Sequence, residues 1–463
     1  MLKPFPLKKL SSLTAILILL LSQHVASAQQ DLTLYNMKSV PQSMYTNPSF
    51  RPSDSTIFIG LPMLSSEYFN FSNNGFKYSD LIQHDGDSLM ANVANMLGKL
   101  AKVNYITLSY HTDLLSFGFP VKKNFFSFNI SENVDIRFGY TSDFLNFLWK
   151  GNGDPSTIGQ PVNLAPSFNA MHYREYGLGW SRHINNKLTV GVKLKYLYGE
   201  EDVNTENTNA SITTDPNDFA LTAQANINVN TAGVINSFGN NFNVMDYAFK
   251  KKNTGAAIDL GGTYKLNDKL SFSASVVDLG FITWKTETTN YQSNDPNATF
   301  TYNGIDLNQF INNNSVQINT VLQNTLDSAK NIFKVNTLNH SYTTMLTAQT
   351  YLSANYQLLP KTTVGALFYA QIVNNYFNPA GSLSLSQQVG RWFTASINYS
   401  AYDRSYNNIG FGLALGSSPV QFYVTHDNIL GLFMPQNAKV VMLHFGMNII
   451  LLHRKPVPKK AQL

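Results

Sequence analysis

The chain has 463 residues, of which 13% are charged, 13% are aromatic and none is cysteine, and its formal net charge is +5. Charge at roughly half the ~25% usual in soluble proteins argues against a string of ordinary soluble domains, and the lack of any internal apolar run of about 18 residues excludes helical membrane spans. Lysines and arginines are too dispersed for a nucleic-acid surface, and the absence of cysteine excludes disulfides and a lipoprotein-type anchor.

The N-terminus reads as an export signal. Lys3, Lys8 and Lys9 precede an apolar stretch, Leu13 to Leu21, that is too short to span a bilayer. Ala26-Ser27-Ala28 is a small-residue cleavage site, so residues 1–28 form a signal peptide and Gln29 starts the mature chain. Without those three lysines the balance is 30 basic against 28 acidic residues, near +2.

Residues 29–55 do not alternate, and they carry Asn47-Pro48-Ser49-Phe50 followed by Arg51-Pro52. Two prolines so close favour a turn-rich segment over a ladder strand. Spacing leaves two readings open: a plug folded into a barrel mouth, built around the turn at Asn47 and Pro48, or a periplasmic tail that leads into the first strand.

The first strand is expected from near Ile57 towards Phe71. A long loop over 72–103 follows, in which Leu89, Val93, Met96, Leu97 and Leu100 keep helical spacing behind Asp87 or Ser88 as a cap. Residues 104–119 and Phe126, Phe128 and Ile130 give the next hairpin, with its turn at Lys122-Lys123-Asn124. A loop with Gly151, Gly153 and Pro155 leads on to the clearest hairpin of the chain. In it Tyr176, Leu178, Trp180 and then Leu188, Val190, Val192, Leu194 and Tyr196 share one face, while Gly177, Gly179, Gly191, Lys193 and Lys195 share the other. Successive strand side chains point to opposite sides, so this unit has an oily face and a wet face. The turn Asn185-Asn186-Lys187 pairs Ile184 with Leu188 and keeps the oily faces together.

The unit recurs at 258–276 around Asn267-Asp268-Lys269 and at 346–372 around Leu359-Pro360-Lys361. Between the copies lie two long polar inserts, 199–254 and 285–342, the second holding an amphipathic run over Ile318, Leu322 and Leu326. Two tighter strand pairs, around turns near Val389-Gly390 and Ser417-Ser418-Pro419, then lead to a last strand at about Val440 to Leu451 and a basic tail. One first strand, six hairpins and one closing strand give an all-β, closed antiparallel transmembrane β-barrel of about 14 strands, with short turns on the periplasmic side and long, helix-bearing loops outside. The soluble all-β protein is the competing reading. Domain bounds are 1–28 for the signal, 29–55 for the plug segment, 56–452 for the barrel and 453–463 for a periplasmic tail.

By strand parity Glu175, Lys193, Lys195, Asp259 and Lys265 face the lumen, with Glu175 diagonal to Lys195. They are read first as a network that braces the wall and second as a solute path. The remaining inward positions are small, among them Gly261, Thr263, Ser273, Ser396, Gly410 and Gly412, a surface that a plug can approach closely. No nucleophile-elbow, zinc-protease or other catalytic pattern occurs, and His183 and His444 are read as structural, so the chain is expected to be no enzyme and to hold no cofactor or metal.

The segments PQSMYTNPSFRP (41–52), IFIGLP (57–62), FSFNIS (126–131) and YREYGLGWSRHINNKLTVGVKLKYL (173–197) resemble an uncharacterised family of outer-membrane barrels of the Bacteroidota type. More distantly, the Asn47-Pro48 segment and the strand count are similar to the long-chain fatty acid transporter superfamily, which also includes barrels associated with type IX secretion. There the Asn-Pro segment belongs to an N-terminal hatch, which favours the plug reading; this chain has Ser49 where those transporters carry alanine. The resemblance implies localisation in the outer membrane of a Gram-negative bacterium and passive uptake of a small hydrophobic solute. The alternative is a scaffold for a secretion-system or surface protein. Membrane lipid is the partner common to both.

Overall fold

The computed structural model describes residues 31–53, 56–86, 88–234, 252–304, 318–373, 376–390, 392–402, 404–416 and 418–452. The segments read as signal (1–28) and basic tail (453–463) lie outside them.

Fourteen antiparallel strands form the wall. The first, β1, is in two pieces, Thr56–Gly60 and Glu67–Asn73. It is followed by β2 (Val103–Val121), β3 (Asn124–Thr141), β4 (Ser167–His183), β5 (Leu188–Thr205), β6 (Thr254–Lys265) and β7 (Leu270–Trp284). Next come β8, again in two pieces (Tyr342–Met345 and Gln349–Leu359), β9 (Thr362–Val373) and β10 (Tyr376–Val389). The wall ends with β11 (Phe393–Tyr402), β12 (Ser405–Leu415), β13 (Val420–His426) and β14 (Val440–Leu452). Each strand pairs with the next, and β14 returns to β1 through Thr56↔Leu452 and Glu67↔Phe445, so the sheet closes on itself. Closure leaves no open edge, which is what a strand protein surrounded by hydrocarbon requires.

The wall is inverted relative to a soluble core. Leu178, Leu194, Leu383 and Ile397 are 53–61% exposed on the outside, whereas Glu175, Lys193, Lys195 and Asp259 are 0–7% exposed on the inside. Covering such outer side chains with lipid tails recovers about 1.5–3 kcal/mol for each one fully removed from water. Inside, serine and asparagine recur on successive strands, as at Ser131, Asn129, Ser273, Ser353 and Asn398, and are buried against one another.

Two of the three repeated turns have a common cause. Asn185 Oδ1 accepts from the N–H groups of Lys187 and Leu188, both at 2.8 Å, and Asn267 Oδ1 does the same for Lys269 at 2.9 Å and Leu270 at 2.8 Å. An asparagine that folds the backbone onto its own side chain sets these turns and hence the register.

Strand β1 is not continuous as the sequence suggests. Residues 61–66 bulge out of it and are stitched to both neighbours. Leu61 N–H reaches Met447 O at 3.1 Å, and Met63 N–H reaches Asp113 O at 2.8 Å. Met63 and Leu64 project outward, 63% and 50% exposed, while Ser65 and Ser66 turn inward and are fully buried.

At the end bearing the long connections, β5 is extended by a ribbon of Asn228–Ala232, Thr288–Ser293 and Val335–Leu338. Beside it sits a four-stranded sheet of Pro161–Asn163, Asn209–Thr214, Leu221–Asn226 and Thr299–Tyr302. The first loop helix is shorter than its apolar spacing predicts. It runs Val93–Lys99, capped by Asn92 through Asn95 N–H at 3.0 Å, because Ser88–Ala91 pairs with Ile82–Asp85 as a hairpin and takes Leu89 with it. The second insert holds the expected helix, Ile318–Ile332.

Candidate functional site

The site is the barrel lumen, where the N-terminal segment packs against inward-facing side chains of the wall. Residues 31–52 lie inside the wall as a short helix (Leu32–Tyr35), a 3-10 turn (Pro41–Tyr45) and the Asn47 turn. Pro41 starts the 3-10 turn where its missing N–H costs nothing. Asn47 Oδ1 accepts from Ser49 N–H at 2.9 Å and from Ser49 Oγ at 2.7 Å, which closes the next turn.

Apolar side chains of the segment meet the wall on several sides. Leu32, Tyr35 and Phe50 pack with Val277, Tyr351 and Leu367, and Tyr35 stacks on Tyr351 with ring centres 5.1 Å apart. Leu34, Met37 and Val40 pack with Ala414 and Tyr423, and Met44 packs with Phe58 and Phe125. Polar contacts fix the register. Gln42 and Asn448 exchange two amide bonds of 2.8 and 2.9 Å, and Ser49 Oγ lies 2.8 Å from Thr263 Oγ1. Ser275 Oγ donates to Thr46 O at 2.7 Å, and Asn47 Nδ2 donates to Ala274 O at 3.3 Å. Thr33 and Leu32 donate their N–H groups to the Asp427 carboxylate at 2.9 and 3.2 Å. Burial pushes that carboxyl up to about 7, against the pull of the Thr33 hydrogen bonds.

Glycine makes the close approach available at two places. A Cβ on Gly191 would stand 2.0 Å from Pro48 O, and one on Gly261 would stand 2.2 Å from Asn47 Oδ1. By contrast, Gly177 and Gly179 face their neighbours in the wall, Asn129 and Ser127, and not the segment.

Four of the five charged residues singled out by parity come together. Lys193 Nζ lies 2.7 Å from Glu175 Oε1, and Lys195 Nζ lies 3.3 Å from Glu175 Oε2 and 2.9 Å from Asp259 Oδ2. Lys265 does not join them. It keeps the inward parity but is exposed at the last position of β6, on the rim of the lumen, because the strand ends there. Its charge is felt by Lys38, whose ammonium is pulled down to about 8 by burial first and by Lys265 second.

The sequence reading missed the acid that completes the network. Asp278 Oδ1 is 2.6 Å from Lys195 Nζ, and Asp278 has φ +61° at an irregularity where the pairing of β6 with β7 slips between Ile258 and Leu260. The slip destroys the simple parity count. The signal present in the sequence was the pair Val276-Val277 before Asp278, which breaks the alternation. Asp113 was missed for the same reason, since β2 and β3 slip between Asp113 and Leu115. Asp113 takes Tyr45 Oη at 2.7 Å and Ser131 Oγ at 2.7 Å. Lys193 Nζ lies 4.5 Å from the centre of the Tyr45 ring, so Tyr45 couples the ion-pair network to the inner segment.

Two cavities flank the network. One of about 60 Å³ lies between it and the segment, bounded by Asp31, Tyr45, Lys193 and His444. The other, of about 260 Å³, lies towards the long-loop end and is bounded by Asp135, Asp202, Asp278 and Gln371 with Met171 and Leu346. On the opposite face of the wall, ligand atoms of Glu132, His172 and Glu200 lie within 4.8 Å of one another. Arg174 already bridges both of those carboxylates, which makes the group an ion-pair cluster and not an open metal site.

DUF5723, a family of unknown function, matches residues 48–427. No curated protein matches the chain. Among solved structures, the toluene transporter TbuX of Ralstonia pickettii is similar at 10% identity and a TM-score of 0.42, over 89% of this chain and 94% of that one. A Pseudomonas aeruginosa FadL homologue is similar at 10% identity and a TM-score of 0.39, over 89% and 94%. The Pseudomonas putida toluene transporter TodX gives 11% identity and a TM-score of 0.35, over 92% and 94%.

Proposed function

The chain belongs to the family DUF5723, and from that premise we propose that it is an outer-membrane barrel of a Gram-negative bacterium whose residues 31–52 act as a plug. Displacing the plug admits a small, largely apolar solute by passive transport. The observation that carries this reading is how the segment is held. It crosses the lumen on reversible contacts alone, namely side-chain packing, hydrogen bonds to β2, β6, β7, β14 and Asp427, and an ion pair of Asp31 with His444, and Asn47 and Pro48 sit against two glycines of the wall. The ion-pair network, joined to the plug through Tyr45, is the latch in this scheme and not a selectivity ring.

Apolar side chains at the long-loop end would collect the solute, among them Trp149 at 62%, Phe433 at 74% and Leu326 at 55% exposure. The same exposed side chains, with the four-stranded sheet beside them, favour a second reading: a docking surface for a secretion-system or surface protein. In that reading the lumen never opens.

A staple separates the two. The chain has no cysteine of its own, and Ser49→Cys with Thr263→Cys replaces two hydroxyls 2.8 Å apart. In proteoliposomes the oxidised protein is expected to block swelling in a small diol, and reduction is expected to restore it. Equal rates in both states, or no uptake in either, sink the transport reading and leave the scaffold.

A further inference from the structure

The chamber of about 260 Å³ is too polar to be a passage for hydrocarbon alone. Three carboxylates bound it, and two are answered by the protein. Asp278 is held by Lys195 at 2.6 Å, and Asp135 shares the chamber lining with the guanidinium of Arg137. Asp202 is different. It is 1% exposed, its Oδ2 accepts no hydrogen bond, and no lysine, arginine or histidine among the described residues pairs with it. The phenol of Tyr342 is the polar group beside it. A buried carboxylate without a cation is costly, and a protein that only needed a filled wall would place a neutral residue there.

A second group in the same wall is also left over. Gln371 is 2% exposed and accepts from Tyr369 Oη at 3.0 Å, yet its Nε2 donates to nothing among the described residues. Met171 and Leu346 supply apolar surface to the same chamber.

We infer that this chamber binds a small organic ammonium compound: the cationic head pairs with Asp202, an acceptor atom takes the Gln371 amide, and the apolar body rests on Met171 and Leu346. The inference rests on the transport reading for its setting and narrows it, because the solute becomes an amphiphilic amine and not a hydrocarbon. A charge-assisted pair with a buried carboxylate is strong enough to dominate the recognition of so small a molecule.

The test is calorimetric binding to the full-length, detergent-solubilised barrel. The probes are 6-amino-1-hexanol, 1,6-hexanediol and 6-hydroxyhexanoate, which share length and differ in one end group. The amino alcohol is expected to bind at least about tenfold more tightly than the diol, with the carboxylate weakest. Asp202→Asn is expected to erase the difference, and Gln371→Leu to weaken amino alcohol and diol by similar factors. Equal binding of diol and amino alcohol overturns the inference, as does discrimination that survives in folded Asp202→Asn. If that variant does not fold, the three-probe comparison on the unaltered protein still decides. A barrel that binds the amino alcohol but stays closed in liposomes after the Ser49–Thr263 staple is reduced sinks the transport reading and not this site. One that passes all three probes alike and binds none selectively sinks this site and not transport.

Discussion

Gly191→Ala should loosen the inner segment, although alanine is among the mildest substitutions available. The added Cβ would stand 2.0 Å from Pro48 O, 2.2 Å from Pro48 C and 2.5 Å from Ser49 N. All three are backbone atoms, so no side chain can rotate away, and the segment must retreat by about 1 Å to reach a tolerable contact. Three bonds hold this part of it to the wall, Ser49–Thr263 at 2.8 Å, Ser275–Thr46 at 2.7 Å and Asn47–Ala274 at 3.3 Å. A retreat of about that size takes each beyond hydrogen-bonding range. At about 1 kcal/mol net for each bond, roughly 3 kcal/mol of attachment is lost, which is a factor of about a hundred in the population of the displaced segment. Limited proteolysis of the segment and conductance in planar bilayers would both register this. Gly262→Ala is the matched control, since its Cβ meets only Thr189 O, at 4.0 Å. If Gly191→Ala keeps the protease protection and conductance of the parent protein, the segment is not held as argued.

The remaining expectations follow from the charges. Lys195→Met leaves Asp259 and Asp278 without their cation and Glu175 with Lys193 alone, and should destabilise the barrel by about 3–5 kcal/mol, measured as the temperature at which its folded form is lost on gels; a change below about 1 kcal/mol contradicts the network. Lys265→Gln, at the exposed rim, should change stability by less than about 0.5 kcal/mol in the same assay. The Asp427 carboxyl, at about 7 in the fold against 3.8 ordinarily, binds its proton more tightly when folded. Its contribution to stability is therefore fully present below 3.8 and is lost as pH rises through about 7. Thermal unfolding should show a loss on the order of 1–3 kcal/mol between pH 5 and pH 8, flattened in Asp427→Asn. A profile that is the same in both proteins rules out this carboxyl as its source.

Alternation in the sequence was enough to establish an inverted, closed sheet of fourteen strands. It is a property of neighbours: Leu194 and Lys195 point apart because successive residues of any strand do, wherever that strand sits. The Asn185 and Asn267 turns are local for the same reason, each formed within three residues. Parity therefore grouped Glu175, Lys193, Lys195 and Asp259 on one face, and the structure brings the four together. It could not say where along the barrel an inward residue falls, and so Lys265 was put in the lumen when it stands on the rim.

Tertiary structure alone decided what the inward residues meet. The bulges that aim Asp278 and Asp113 at the network arise where two paired strands slip, and a slip belongs to the pair and not to either sequence. The inner segment lacks any periodicity to read, and its partners lie far away in the chain, Asp113 at 68 residues from Tyr45 and Asp427 at 394 from Thr33. Those distances collapse only when the fourteenth strand meets the first, because ring closure fixes which inner faces oppose one another across the lumen.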